Sequence, residues 1–313
     1  MPDFFHDRSD ARELFDTLAA DKGLPPAVVE KDYWVMHCLW GVQQNGLRFE
    51  MKGGTSLSKG WGVIDRFSED IDVRFEPPEK LNTKGEKPAQ VKARLAYFDD
   101  LAAKIRISGI TTGRNRAFDD ERGQNGGIGL KYKSHFTPLP GLKPEVLLEV
   151  GFARTTPNEP RDFSSWVFDK ALASGLKVAD NRAWAVKCFN PEYTFVDKLQ
   201  TICRRFRQHR DRRDARKDRP REFMRHYYDL HRLLGVERVV SFIGTPDYET
   251  YKAEKLRGED ARAFESRDPF TLPNVETFAL FEKEFEALKS LLLAPGPSFQ
   301  EVAARIKGSA ARF

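Results

Sequence analysis

Between Lys52 and Arg74 the chain reads KGGTSLSKGWGVIDRFSEDIDVR, and its chemistry-bearing side chains fall into two short clusters. The first is Gly53-Gly54, followed by the hydroxyls of Thr55, Ser56 and Ser58 and by Lys59. Glycine lacks a Cβ and tolerates positive φ, so the backbone at such a pair can close on a bulky anion. A helix beginning there adds unpaired N–H groups and the positive end of its dipole, which suits a phosphate. The second cluster is Asp70-Ile71-Asp72-Val73-Arg74-Phe75, in which polar and apolar residues alternate at the period of a half-buried strand. Asp70 and Asp72 then share one face, and Ile71, Val73 and Phe75 the other. Two carboxylates on one face repel each other unless a cation lies between them. A phosphate cradle followed by such a pair is the minimal equipment for moving a nucleotide.

Several elements must position these clusters. Phe49-Glu50-Met51-Lys52 reads as a strand that delivers the Gly-Gly turn. Upstream, Leu14, Phe15 and Leu18 have helical spacing, and Pro25-Pro26 opens a second helix through Val28, Val29, Tyr33, Trp34, Val35, Leu39 and Trp40. That aromatic-rich helix reads as core. Downstream come a helix from about Gln90 to Lys104 and a polar stretch from Ser108 to Gly127, read as a mobile hairpin or flap carrying Arg114, Arg116 and Arg122, with a plain surface loop as the alternative. Ile128–Phe136 and Glu145–Ala153 read as paired strands. In the second, Glu149 is an acid in an otherwise apolar run. Burying it without a partner costs several kcal/mol, so either a partner or a water-facing sheet edge is expected. Thr155–Pro160 reads as a turn-rich break and Trp184–Cys188 as a last strand.

From Pro191 onward the pattern is nearly all helical, placing a domain boundary near 190: residues 1–190 form one domain and 191–313 a second. PEYTFVDKLQTICRRFR (Pro191–Arg207) buries Phe195, Leu199, Ile202 and Phe206 and projects Lys198 away from that stripe. REFMRHYYDLHRLL (Arg221–Leu234) puts Phe223, Tyr227, Leu230 and Leu234 on one face and Arg225, Asp229 and Arg232 on another. Arg225 and Asp229, four apart, could form a simple ion pair worth at most about 0.5 kcal/mol. Phe278, Leu280, Phe281, Phe285, Leu288, Leu291 and Leu292 make a core stripe, and a short helix ending near Ile306 closes the chain.

The 313 residues carry a net charge of +5, and 40% hydrophobic content can fill a real core beneath a surface rich in charge. No run approaches the roughly 18–20 apolar residues of a membrane helix, and the acidic, amphipathic N-terminus is unlike a signal peptide. Cys38, Cys188 and Cys203 show no metal spacing and suit a reducing compartment. The expectation is a cytoplasmic protein without a membrane partner, monomeric by default. Charge is unevenly spread: Arg204–Arg221 holds ten Lys/Arg against Asp211, Asp214 and Asp218, an excess larger than that of the whole chain. Such a run is either a solvated loop or a contact for a phosphate backbone. Arg204, Arg205, Arg207, Arg210, Arg212 and Arg213 are its candidate RNA-binding residues.

The Gly-Gly turn, its hydroxyls and the Asp-x-Asp strand resemble the nucleotidyltransferase superfamily related to polymerase beta. The fuller wording, with EKDYW at Glu30–Trp34, KGGTSLSK and RFSEDIDV, closely resembles the AbiEii/MenT toxins of bacterial toxin–antitoxin and phage-defence systems. The resemblance implies an α+β fold: a polymerase beta-like mixed sheet with flanking helices, then a mainly helical C-terminal domain that adds Lys198 and Asp229 to the site. It implies that Asp70, Asp72 and Glu149 bind Mg²⁺, with Mn²⁺ as the alternative ion. Gly53, Gly54, Thr55, Ser56 and Ser58 would cradle the triphosphate of an NTP, with Lys59 and Lys198 answering charge on the leaving pyrophosphate. Glu30 and Lys31 would border the nucleotide pocket, unless they lie on a solvated helix face. The implied acceptor is RNA, the tRNA 3′ end, blocked so that translation stops, and the implied partner is an antitoxin encoded nearby. Three other readings use the same residues: nucleotidylation of a protein, nucleotidylation of a small molecule, or a non-catalytic nucleotide-binding module.

Overall fold

The computed structural model describes residues 2–137, 139, 141–211 and 220–313. The chain forms two compact units, one of Met1–Gly60 with Ser68–Phe189 and the other of Trp61–Phe67 with Asn190–Phe313.

The first unit begins with α1 (Ala11–Lys22) and α2 (Pro26–Gln44), where Pro26 takes the first helical turn, whose N–H has no partner in any case. Then come β1 (Phe49–Lys52), α3 (Gly53–Thr55) running on as a wider π-type turn over Ser56–Gly60, β2 (Asp70–Phe75) and α4 (Pro88–Lys104). The remaining elements are β3 (Thr111–Asn115), β4 (Asn125–Lys131), β5 (Val146–Gly151), β6 (Asn158–Phe163), α5 (Trp166–Ala173) and β7 (Ala183–Phe189). The strands form one mixed sheet in the order β3-β4-β5-β2-β1-β7-β6, with β1/β7 and β2/β5 parallel and the other pairs antiparallel. Ile71, Val73 and Phe75 are buried on one face of β2, as their alternation requires. On β5, Val146, Leu147, Leu148 and Val150 are all buried, which explains why this strand reads as a nearly continuous apolar run.

One stretch differs from the sequence expectation. The break expected at Thr155–Pro160 gives way to β6, which contains Pro160. β6 is an edge strand, the place in a sheet where proline is tolerated. The polar stretch Ser108–Gly127 forms the expected hairpin, with β3 paired to β4 and a tight turn at Arg116–Phe118. Asp120 accepts the N–H groups of Arg122, Gln124 and Asn125, and Arg114 spans Asp99 and Asp119. Its polarity therefore reflects internal hydrogen bonding.

The second unit is helical: α6 (Pro191–Asp211), α7 (Pro220–Leu233), α8 (Glu237–Phe242), α9 (Pro246–Lys255), α10 (Gly258–Ser266), α11 (Asp268–Thr271), α12 (Val275–Glu286) and α13 (Phe299–Ser309). α7 is its hub, packed on α6, α12 and α13 through Phe223, Met224, Tyr227, Tyr228, Leu230 and Leu233, all buried. Each such side chain stabilises by roughly 1.5–3 kcal/mol. Trp61–Phe67 joins this unit across a long sequence gap. Arg66 bridges to Leu292, and the Tyr228 hydroxyl lies 3.3 Å from the N–H of Asp65 and accepts from it. Among the described residues no helix is long and apolar enough to cross a membrane, and the three cysteines are free and buried.

Candidate active site

The Gly-Gly turn is shaped by one close approach. Gly53 has φ +81°, and a Cβ placed on it would lie 1.9 Å from Asp72 Oδ2. Only glycine satisfies both the conformation and the space. The Thr55 hydroxyl donates to the Asp70 carbonyl at 2.5 Å, and the Ser58 hydroxyl turns back to the Thr55 carbonyl at 3.4 Å. Thr55 thus ties the turn to the start of β2, while Gly54 and Ser56 are buried beside it. Lys59 is likewise committed. Its ammonium lies 2.5 Å from Asp32, 4.3 Å from the centre of the Trp166 ring, and donates to the Ser164 carbonyl. It pins the end of the turn to α2 and to the start of α5.

The carboxylates follow from strand register. Lys52, Asp72 and Glu149 are direct neighbours across β1, β2 and β5, and Asp70 lies two residues before Asp72 on the same face. β5 is an interior strand, so Glu149 is half-buried beside Asp72 and is not the water-facing edge residue that was the alternative. Asp70 is 7% exposed. Its Oδ2 accepts from the Lys143 ammonium, whereas its Oδ1 is buried with no hydrogen bond. A buried carboxylate oxygen left without a partner is costly, and a cation would satisfy it. Among the described residues no three His, Cys, Asp or Glu side chains converge closely enough to cage a metal. The pair Asp70–Asp72 nevertheless fits Mg²⁺, which is bound through one or two carboxylates, substrate phosphates and water in preference to a full protein cage.

Glu30, Lys31 and Asp32 on α2 are all buried, which excludes a solvated helix face. Each grips a different segment. Glu30 accepts from the Ser134 hydroxyl and the His135 N–H, and Asp32 accepts from the Trp166 N–H. Lys31 donates to the carbonyls of Lys143 and Glu145 at 2.7 and 2.6 Å. Burial lowers the Lys31 pKa to about 8, against the pull of Glu69 and Asp70. Burial raises that of Asp32, although Lys59 opposes the shift.

The second unit holds an ionic cluster of its own residues. Asp229 is 0% exposed and both its oxygens are taken. Arg66 binds it in bidentate fashion at 2.7 and 2.8 Å, and the Lys198 ammonium donates to Oδ2 at 2.7 Å. The pairing with Arg225 that spacing allowed is replaced by these two cations, and Arg225 is exposed. Burial would raise the Asp229 pKa, but Arg66 and Lys198 outweigh it and hold the carboxyl well below its usual range. Lys198 lies 3.3 Å from His226 Nδ1, and burial lowers the pKa of both groups. Along α6, Arg207 is bound to Glu259 and Asp260 of α10 at 2.8 and 3.0 Å, so it braces two helices. Arg204 is half-buried, Arg205 lies 3.4 Å from Gln208, and Arg210 is exposed next to Asp211. Arg212 and Arg213 lie outside the described residues.

A family model for the AbiEii nucleotidyl transferase toxins, a type IV toxin–antitoxin system, matches residues 37–305. The chain belongs to this family. Comparison with curated proteins gave no match. AbiEii membership places the chain among nucleotidyltransferase toxins, a family that implies an NTP substrate and a cognate antitoxin. It also agrees with the seven-stranded mixed sheet, flanking helices and helical C-terminal region.

Three AbiEii residues in or beside these clusters were missed in the sequence. Arg66 lies inside RFSEDIDV, four residues before Asp70, where a lone cation ahead of an acid pair was a usable signal. His226 is three residues before Asp229, one helical turn, which was also readable. Lys143 stands 73 residues beyond Asp70 in a proline-flanked turn, with nothing local to single it out.

Proposed function

We propose that the chain transfers a nucleoside monophosphate from an NTP to a hydroxyl of an RNA acceptor, the tRNA 3′ end, releasing pyrophosphate and halting translation. The observation that carries this reading is the pair of like-charged side chains on one face of β2. Asp72 is folded against Gly53, and Asp70 keeps a buried oxygen without a hydrogen bond. Asp70 and Asp72 would hold Mg²⁺ or Mn²⁺, with Glu149 beside Asp72 as the base for the acceptor hydroxyl or as a further ligand. The bound ion would supply Lewis-acid stabilisation of charge on the phosphoryl oxygens.

The protein's own work is positioning. Gly53 and Gly54 let the backbone approach the triphosphate. Thr55 locks the turn to β2, and Lys59, held by Asp32, fixes the far end of the turn. Ser56 and Ser58 complete the cradle. Lys198 would supply positive charge for the leaving pyrophosphate, and Asp229, with both oxygens occupied, holds the Lys198 and Arg66 side chains. Arg204, Arg205 and Arg210 are the proposed RNA contacts on α6, while Arg207 braces α10. A cytoplasmic monomer without a membrane partner is the proposed working state.

The test is incubation with each labelled NTP, Mg²⁺ and total RNA, with protein and small-molecule hydroxyl acceptors in parallel. Label at the 3′ end of tRNA is the expected result. Label on protein or on a small molecule would redirect the acceptor, and absence of transfer with Asp70 intact would favour a nucleotide-binding module.

A further inference from the structure

Asp70 already has a cation, and the way that cation is mounted is informative. Lys143 sits in the turn between β4 and β5, and its ammonium contacts Asp70 Oδ2 and stands 3.9 Å from Glu69 Oε1. Its backbone is fixed from two directions. The Lys143 N–H donates to Glu69 Oε2 at 2.8 Å, and its carbonyl accepts from the buried Lys31 ammonium at 2.7 Å. Lys31 also holds the carbonyl of Glu145, and Glu145 in turn accepts from Asn115 Nδ2 at 2.6 Å. On its other side the Lys143 ammonium lies 5.8 Å from the centre of the Phe118 ring, at the tip of the β3–β4 hairpin. The main chain is therefore anchored, while the ammonium is carried on a four-carbon stem with the side chain 30% exposed.

We propose that Lys143 is the resident counter-ion of the acid pair, occupying one of the two Asp70 oxygens until a divalent cation displaces it. This rests on the reading of Asp70 and Asp72 as the cation-holding pair. Without such an ion, Asp70 would be a nearly buried carboxylate beside Asp72 and the half-buried Glu69, an arrangement that like-charge repulsion disfavours. Lys143 offsets that repulsion and keeps the Asp70 carboxylate in position. The ion must then compete with a tethered ammonium, so the apparent affinity of the apo-protein for it is set below what the carboxylates alone would give. Glu69 offers the displaced ammonium an alternative partner within reach. The EKDYW wording on α2 thereby acquires a second use, because Lys31 is the anchor that holds Lys143 over Asp70.

The experiment is Mn²⁺ binding to the full chain, followed by the electron paramagnetic resonance of free Mn²⁺ with no nucleotide present. Lys143→Met is expected to tighten Mn²⁺ binding about fivefold, the scale of losing one partly exposed ion-pair competitor. Lys143→Arg, which keeps the charge, is expected to bind like the wild type, and circular dichroism of both variants checks folding. Asp70→Asn is expected to abolish binding at the same concentrations. Unchanged or weaker binding in a folded Lys143→Met, with Asp70→Asn defective, overturns the counter-ion role and leaves the acid pair standing. Unchanged binding in Asp70→Asn overturns the acid pair itself, and the role of Lys143 with it.

Discussion

Asp70 in the first unit and Asp229 in the second are both buried aspartates, yet they are satisfied in opposite ways. Asp229 has two cations on two oxygens, with a bidentate guanidinium among them, and no atom left to offer. Asp70 has one ammonium on one oxygen, and its other oxygen is buried without a hydrogen bond. A carboxylate in the first state is a piece of framework that orients its partners. One in the second state is poised for a ligand, because binding relieves a cost already present in the fold. The same residue type thus serves two purposes, and the count of its partners distinguishes them.

Exchange of charge at the two positions should separate them most sharply. Asp70→Asn is expected to lower kcat for nucleotidyl transfer by about a thousandfold or more and to relieve growth arrest. Its thermal and urea unfolding should stay within about 1 kcal/mol of wild type, since the Lys143 pair it breaks is partly exposed. Activity equal to wild type would remove Asp70 from the site. Asp229→Asn should show the reverse priority, a loss of about 3–5 kcal/mol in urea unfolding, because Arg66 and Lys198 would be left buried without their counter-charge. If that variant unfolds like wild type, the cluster is not the framework described.

The pH dependence of stability sharpens the same contrast. The folded pKa of Asp229 is held below its ordinary value of 3.8, so its contribution is fully present above that value and is lost as pH falls below it. Urea titrations between pH 5 and about 2 should therefore show a stability loss that Asp229→Asn flattens. Lys31 provides a smaller effect of opposite origin. Burial lowers its folded pKa to about 8 from 10.5, so the unfolded chain binds more protons in that window and stability should rise with pH across it. Lys31→Met should remove that alkaline rise, and an unchanged slope would show that Lys31 titrates normally.

Much of the first unit was legible locally. The alternation of Asp70–Phe75, the apolar run around Glu149 and the glycines at 53 and 54 each report their own surroundings, because strand period and positive φ are properties of neighbouring residues. Lys59 was legible only in part for the same reason. Its place after the hydroxyls suggested phosphate, but its partners Asp32 and Trp166 come from α2 and α5, far away in the chain. Arg66 shows the limit most clearly, since it lies within a quoted motif yet packs with a helix that begins more than 150 residues later.

Sequence alone determined the strand that aligns Asp70 with Asp72, the glycine turn before it and the family resemblance those stretches carry. Each of these depends on the order of adjacent residues and on the steric rules of a short backbone segment. Only the tertiary structure decided which acids keep a vacant oxygen and which are fully occupied, because that outcome depends on cations such as Lys143 and Arg66 brought in by distant segments. Electrostatic satisfaction is a property of the folded neighbourhood, and nothing in the local pattern around Asp70 or Asp229 records it.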